Sequence, residues 1–277
     1  MGRVGLCTIA FKQFEVSDII SIAARTGASA LEIWGQPPHI SYPLDYQKLE
    51  ATRTEAERNN LDPVVFGSYY RPGKPVEYNG VVVDLENQIE AARILGSQMI
   101  RIWAGDDNPG TIGEQAETKI IDAIRRFADS AADSGMETIL ERHNNSLTHG
   151  WDSPRRLLER IDHDHVFLNY QIPYPMPESD LAERSIGDYR RLLPLAKQAH
   201  MQNYQRSETG ELERTFLDSG VVDYGELPSA ITESGYDGYL MIEFCALDVD
   251  HLTDRNRSAY IDAIGRDTEY LETLLPG

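Results

Sequence analysis

The chain has 277 residues, enough for one large domain, with 45 acidic residues against 26 basic and a net charge of −19. A surface of that sign repels a nucleic-acid duplex or an anionic membrane, and no run of 18 apolar residues offers a membrane span. Two cysteines, Cys7 and Cys245, make no disulfide framework, and the first residues lack a signal-peptide core, so a cytoplasmic protein is expected.

The basic set is 5 Lys and 21 Arg. Acid excess with scarce lysine resembles the composition of proteins from salt-loving microbes, whose carboxylate surfaces stay soluble when salt screens their repulsion. An ordinary acidic cytoplasmic enzyme is the other reading. No repeat, low-complexity tract or linker is evident, which predicts one domain over residues 1–277.

Val4 to Ile9 reads as strand one. Ser17-Asp18 can cap a helix that carries Ile19, Ile20 and Ile22 and ends at Gly27. Ala30 to Trp34 is strand two, Asp45 to Asn60 a helix, and Pro63 to Phe66 strand three. Asp84 to Leu95 is a helix closed by Gly96. Met99 to Trp103 is strand four, and a long helix from Gly113 to Ser134 stops at Gly135. Glu137 onward is strand five, and Pro154 to Ile161 is a helix with proline near its first turn. Val166 to Gln171 is strand six, Leu181 to Leu193 a helix, and Ala199 to Tyr204 strand seven. Tyr224 to Ser234 is a helix, Tyr239 to Phe244 strand eight, and Ser258 to Leu275 the last helix. Eight strands alternating with eight helices predict parallel strands closed into a (β/α)8 TIM barrel. An open doubly wound sheet is disfavoured, because the first strand-to-helix turn has no G-x-G-x-x-G.

Active sites of such barrels lie at the C-terminal strand ends. Glu141, Gln171, His200 and Glu243 fall there on strands five to eight. Strand parity places them inward, with His143, Asn169, Gln202, Tyr204, Met241 and Cys245 on the same inner faces. Carboxylate, amide and imidazole groups converging from four neighbouring strands suit an octahedral divalent metal. Asp162-His163-Asp164-His165 precedes strand six at the opposite end and reads as a solvated loop. Glu32 and Arg101 point inward below the rim and read as a structural buried ion pair. Trp34 and Trp103 would line the pocket. Cys7 and Cys245 come from adjacent strands one and eight, but the compartment argues against a disulfide.

These residues resemble the xylose-isomerase-like TIM-barrel superfamily of sugar (phosphate) isomerases and epimerases. The likeness rests on Ile139-Leu140-Glu141-Arg142-His143, on Ala199-His200-Met201-Gln202-Asn203-Tyr204, and above all on Gly235-Tyr236-Asp237-Gly238-Tyr239-Leu240-Met241-Ile242-Glu243-Phe244. It implies a divalent metal, Mn²⁺ first, with Co²⁺, Mg²⁺ or Zn²⁺ as the alternatives, held by Glu141, the strand-six position, His200 and Glu243. It also implies that Arg206, six residues after the histidine, binds substrate oxygens. This sequence departs from the family at strand six, where Gln171 replaces the usual Asp, and three residues later, where Tyr174 replaces a His.

The leading expectation is a metal-dependent isomerase or epimerase of a keto-sugar or related carbohydrate. Glu141 and Glu243 would act as acid and base through an enediolate, while Trp34, His39, Trp103, His143 and Arg206 would position the substrate. A lyase or dehydratase acting on a 3-keto-glycoside or keto-inositol is the alternative. An apurinic endonuclease and a non-catalytic sugar-binding barrel are further readings, the former opposed by the net charge. The partner is a small carbohydrate, with no nucleic acid or membrane, and a homo-oligomer is left open. Self-repulsion at −19 should loosen the fold in dilute buffer and be screened in molar KCl, raising the melting temperature. A melting temperature that does not change with KCl would contradict this.

Overall fold

The structure is a computed structural model that describes residues 3–276 apart from 75, 79, 174 and 250. Its eight core strands are β1 (Val4–Cys7), β2 (Ala30–Trp34), β3 (Asp62–Gly67), β4 (Met99–Ile102), β5 (Glu137–Glu141), β6 (Val166–Tyr170), β7 (Ala196–Met201) and β8 (Tyr239–Ile242). All eight pair in parallel in the order β1-β8-β7-β6-β5-β4-β3-β2, and β1 closes on β2 to make the expected barrel. The helices between them are α1 (Val16–Ala23), α2 (Tyr46–Arg58), α3 (Leu85–Leu95), α4 (Glu114–Asp133), α5 (Ser153–Ile161), α6 (Glu178–Leu192) and α7 (Leu227–Ser234), and α8 (Asp254–Leu274) ends the fold. No described helix is long and apolar enough to cross a membrane.

Local chemistry explains most boundaries. The Asp45 and Asp84 carboxylates accept the Lys48 and Asn87 amides at the starts of α2 and α3, and Gly96 ends α3 in the left-handed region. The expected cap of α1 by Ser17-Asp18 is not formed; the helix begins at Val16, after Glu15, without a side-chain cap. Strand one ends at Cys7, and Thr8–Phe11 forms a 3-10 turn instead of more strand. α8 starts four residues earlier than expected, because Thr253 and Asn256 make a reciprocal capping box. Strand seven also begins and ends earlier than the expected Ala199–Tyr204. From Asn203 the chain leaves the barrel as a hairpin, Asn203–Arg206 against Leu212–Thr215. A shorter hairpin, Glu77–Tyr78 against Val81–Val82, follows β3. Neither hairpin is expected from the sequence.

The core has two shells. The larger packs the helices onto the outer faces of the strands, with Ile20, Leu31, Phe127, Leu140, Tyr170 and Leu240 among its members. The smaller fills the barrel's lower interior with Ala30, Val64, Val65, Met99, Ile139 and Met241, backed by Phe167 and Tyr239. Two residues further along their strands stand Glu32 after Ala30, Arg101 after Met99, Glu141 after Ile139, Asn169 after Phe167 and Glu243 after Met241. Period-two alternation therefore stacks a polar layer directly on an apolar plug.

Asp267 on α8 anchors the chain that returns from the larger hairpin, accepting the Leu217 amide at 2.9 Å. Burial pushes its carboxyl up to about 6, with Asp218 acting the same way and the Leu217 hydrogen bond and Arg266 opposing. The folded chain thus binds more protons than the unfolded one between the ordinary aspartate value and about 6. Stability from this group falls as pH rises through that window, and the cost is complete above it. Asp267→Asn keeps the acceptor and removes the charge. It should raise stability above pH 7 by at most about 3 kcal/mol, at about 1.36 kcal/mol per pKa unit, and give no gain below pH 4. Thermal melts of both proteins across pH check this.

Candidate active site

At the top of the barrel the four expected side chains meet. Glu141 ends β5, Gln171 follows β6, His200 is the penultimate residue of β7 and Glu243 follows β8; all four are buried. His200 Nδ1 lies 3.3 Å from Gln171 Oε1, 3.5 Å from Glu243 Oε1 and 4.0 Å from Glu141 Oε1. Ligating atoms of Glu141, His200 and Glu243 all fall within 4.8 Å of one another. One nitrogen faces three oxygens from three strands, a donor set and spacing that a divalent cation fits.

The remaining atoms of these groups are tied down. Gln202 donates its amide to Glu243 and, at 3.3 Å, to Gln171 Oε1; its own Oε1 accepts the Tyr204 hydroxyl. The Glu141 carbonyl accepts Thr148 Oγ1 at 2.6 Å. Arg142 points to the outer face, pairs with Asp188 on α6 and donates to the Gln171 carbonyl at 3.1 Å, which fixes the end of β6.

Glu32 and Arg101 form the expected buried ion pair, Arg101 Nε to Glu32 Oε1 at 2.6 Å. The pair is also joined to the quartet. Arg101 Nη1 also pairs with Glu141, and Glu32 Oε2 lies 2.6 Å from His200 Nε2. The pair passes where β3 ends, and a Cβ on Gly67 would sit 2.6 Å from Glu32 Oε1 and 2.8 Å from Arg101 Nη2. Only glycine leaves room there. Burial opposes the charge on Glu32, but His200 and Arg101 override it and hold the carboxyl far below its usual range. Burial likewise opposes charging His200, and Glu32 with Glu243 reverses this and pushes the imidazole well above its ordinary value. Cys7, buried beside Glu32, is pushed up to about 12, first by burial. It stays a thiol, and both cysteines are free. Cys245, expected to face inward, packs in the outer apolar shell.

A run of aromatic rings approaches the site through Tyr69, whose ring centroid lies 5.8 Å from the Arg101 guanidinium. Trp34 meets His39 at 5.3 Å between ring centroids and Tyr69 at 6.1 Å; Tyr69 meets Trp103 at 6.1 Å, and Trp103 meets His143 at 4.4 Å. Trp34 Nε1 donates to the Tyr69 hydroxyl at 2.9 Å, and Arg71 stacks 3.9 Å from the Trp103 centroid. Trp34, Trp103 and His143 thus share one run of ring contacts. His39 belongs to it only at the back. Its Nδ1 bonds Thr8 Oγ1 at 2.9 Å, its ring is buried, and burial lowers its pKa to about 4.

Arg206 is not brought to the quartet. It lies on the hairpin, exposed, paired with Glu178 and donating to the Gly210 carbonyl. Tyr174 lies outside the described residues. His163 pairs with Asp129 and His165 with Glu137 at the surface, as expected of a solvated loop. A cavity of about 910 Å³ opens beside Phe244, with Lys12, Gln205 and Arg214 on its walls, but no member of the quartet lines it.

Sequence reasoning missed Tyr69 and Gln198. Gln198 donates its amide to Glu32 and, at 3.3 Å, to Asn169 Oδ1. It stands two residues before His200, so parity would have found it had β7 been started at Ala196.

Residues 20–265 match the family model described as a xylose isomerase-like TIM barrel. A 3-dehydroshikimate dehydratase of Bacillus anthracis is 22% identical over 208 residues, covering 74% of this chain and 73% of that protein. The solved structure of the probable 3-DHS dehydratase AsbF from Bacillus anthracis superposes with a TM-score of 0.76 at 20% identity, over 98% of this chain and 99% of that one. A D-allulose 3-epimerase from Methylomonas sp. gives 0.73 at 17% identity, over 99% and 98%. At these identities the structural likeness speaks for the fold.

Gln171 offers an oxygen without charge. If it ligates, Gln171→Asp should tighten Mn²⁺ binding by roughly tenfold and Gln171→Leu weaken it by a similar factor. Calorimetric titration of both variants decides; unchanged affinity in both removes Gln171 from the coordination sphere.

Proposed function

The chain belongs to the xylose isomerase-like TIM-barrel family, and from that premise we propose that it is a divalent-metal-dependent isomerase or epimerase of a keto-sugar or related carbohydrate. The observation that carries this reading is His200 Nδ1 facing the oxygens of Gln171, Glu243 and Glu141 at the C-terminal mouth of the barrel. Mn²⁺, or Co²⁺, Mg²⁺ or Zn²⁺ in its place, would be held by Glu141, Gln171, His200 and Glu243 and would act as a Lewis acid toward a carbonyl and the hydroxyl beside it.

The protein's own groups do the rest. The wall of Trp34, Tyr69 and Trp103 offers flat apolar faces to a sugar ring, and His143 presents its imidazole beside Trp103. Glu141 and Glu243 approach from β5 and β8, one to remove the proton next to the carbonyl and the other to return it to the enediolate. Arg101 and Gln202 hold the two carboxylates in place. Burial of the quartet keeps bulk water from protonating the intermediate at random.

A second reading, a lyase that eliminates water or an alcohol from a 3-keto substrate, is favoured by one feature. Arg101 pairs directly with Glu141, whereas Glu243 takes the Gln202 amide and stands 3.5 Å from His200 Nδ1, and elimination needs only one free carboxylate for the proton. The dehydratase relative agrees with it. Both readings share proton abstraction and differ in the fate of the enediolate, which is either reprotonated or expels a leaving group.

Keto-sugars incubated with the protein and Mn²⁺ in D₂O separate the two. An isomeric sugar with deuterium at the exchanged carbon supports the first, and a new enone absorbance or a released alcohol supports the second. Chelation should abolish turnover, and Mn²⁺ or Co²⁺ should restore it. Full turnover by protein shown metal-free by mass spectrometry would refute both.

A further inference from the structure

We infer that Glu32 is a positioning residue for the metal centre: it dictates which ring nitrogen of His200 carries the proton, leaving Nδ1 as a lone pair aimed at the quartet. The inference rests on the metal reading above and extends it to a residue that touches neither metal nor substrate.

The argument is one of donors and acceptors. An ionised carboxylate only accepts. Glu32 Oε1 takes Arg101 Nε at 2.6 Å, and Oε2 takes the amide of Gln198. Gln198 orients its NH₂ toward Glu32 although this leaves its own buried Oε1 without a partner. The reverse orientation would set two oxygens against each other. The third neighbour, His200 Nε2, lies 2.6 Å from Glu32 Oε2, so it must be an N–H donor as well. A ligating imidazole has lost its second proton to the incoming cation, so in the loaded site the other nitrogen is the acceptor, and that nitrogen faces Gln171, Glu243 and Glu141. A carboxylate behind a ligating histidine both orients the ring and strengthens it as a donor. Arg101 completes the arrangement by spanning Glu32 and Glu141, so the residue behind one ligand is joined to another ligand.

Cys7, Glu32 and His200 also cluster within ligating distance, which could suggest a second cation. Glu32 there already accepts from Arg101, Gln198 and His200, and the guanidinium opposes a further positive charge. The cluster therefore serves the histidine.

Glu32→Gln makes the inference testable, because it keeps shape and inverts polarity. The Arg101 guanidinium will claim the new amide oxygen, which turns the NH₂ toward His200 Nε2. That nitrogen must then accept, and the ring proton moves to Nδ1, where it blocks the ligand position. We expect Mn²⁺ affinity, measured by calorimetry well below the melting temperature, to fall tenfold to a hundredfold in Glu32→Gln. Glu32→Asp, which retains the acceptor, should recover part of that loss. Long-range ¹H–¹⁵N spectra of the wild-type protein with Mg²⁺ should place the His200 ring proton on Nε2, a readout that survives even if Glu32→Gln does not fold. Equal Mn²⁺ affinity in wild type and Glu32→Gln, or a wild-type ring proton on Nδ1, overturns this inference alone. Absence of Mn²⁺ uptake by the wild type overturns it together with the metal reading.

Discussion

The upper half of the barrel depends on matching charge that has no access to water. Glu141, Arg101, Glu32 and His200 form one continuous run of ion pairs, and His200 reaches on to Glu243. Removing one partner of a buried pair leaves the other uncompensated, at a cost of about 3–5 kcal/mol. Each link here joins different strands: β4 to β5, β4 to β2, β2 to β7 and β7 to β8. Hydrophobic packing alone would let these strand ends shift by small amounts. The charges hold them at one height, and that height is where the candidate ligand oxygens lie. Gly67 is part of the same constraint, since its missing side chain is the space through which the pair passes.

Much of this was legible in the sequence because parity in a closed barrel is a geometric rule. Once Glu141 is inward, Gln171, His200 and Glu243 must be too, and neighbouring strands bring them together. The Glu32–Arg101 pairing followed from alternate strands sharing a layer. What was not legible depends on choices among near-equal partners. Sequence alone does not say that Arg101 has reach left for Glu141, nor that His39 settles on Thr8 behind Trp34. Gln198 was hidden because β7 begins with Ala196-Lys197-Gln198, which lacks an apolar alternation. The hairpin that carries Arg206 went unread for a related reason. Its return strand, Leu212–Thr215, is polar, so nothing in the pattern marked it as a strand.

In the proposed function, isomerisation and elimination begin with the same proton. What differs is how free the second carboxylate is to act. Glu141 and Glu243 occupy matching positions but unlike surroundings, the Arg101 guanidinium for one, the Gln202 amide and the His200 ring for the other. On that reading, side chains one contact removed from the reacting atoms would decide between the two reactions, which fold likeness does not report.

The ring wall has an origin of its own. Trp34, Tyr69 and Trp103 come from the ends of β2, β3 and β4, while Glu141, Gln171, His200 and Glu243 come from β5 to β8. His143, just past β5, is where the two halves meet, in contact with Trp103. The ring contacts thus come from the first half of the chain and the candidate ligands from the second, with Glu32 and Arg101 of β2 and β4 tying the two together. On the proposed reading, descendants of such a chain would acquire new substrates through the loops of the first half, provided that Glu32 and Arg101 at its strand ends are inherited with the ligands of the second.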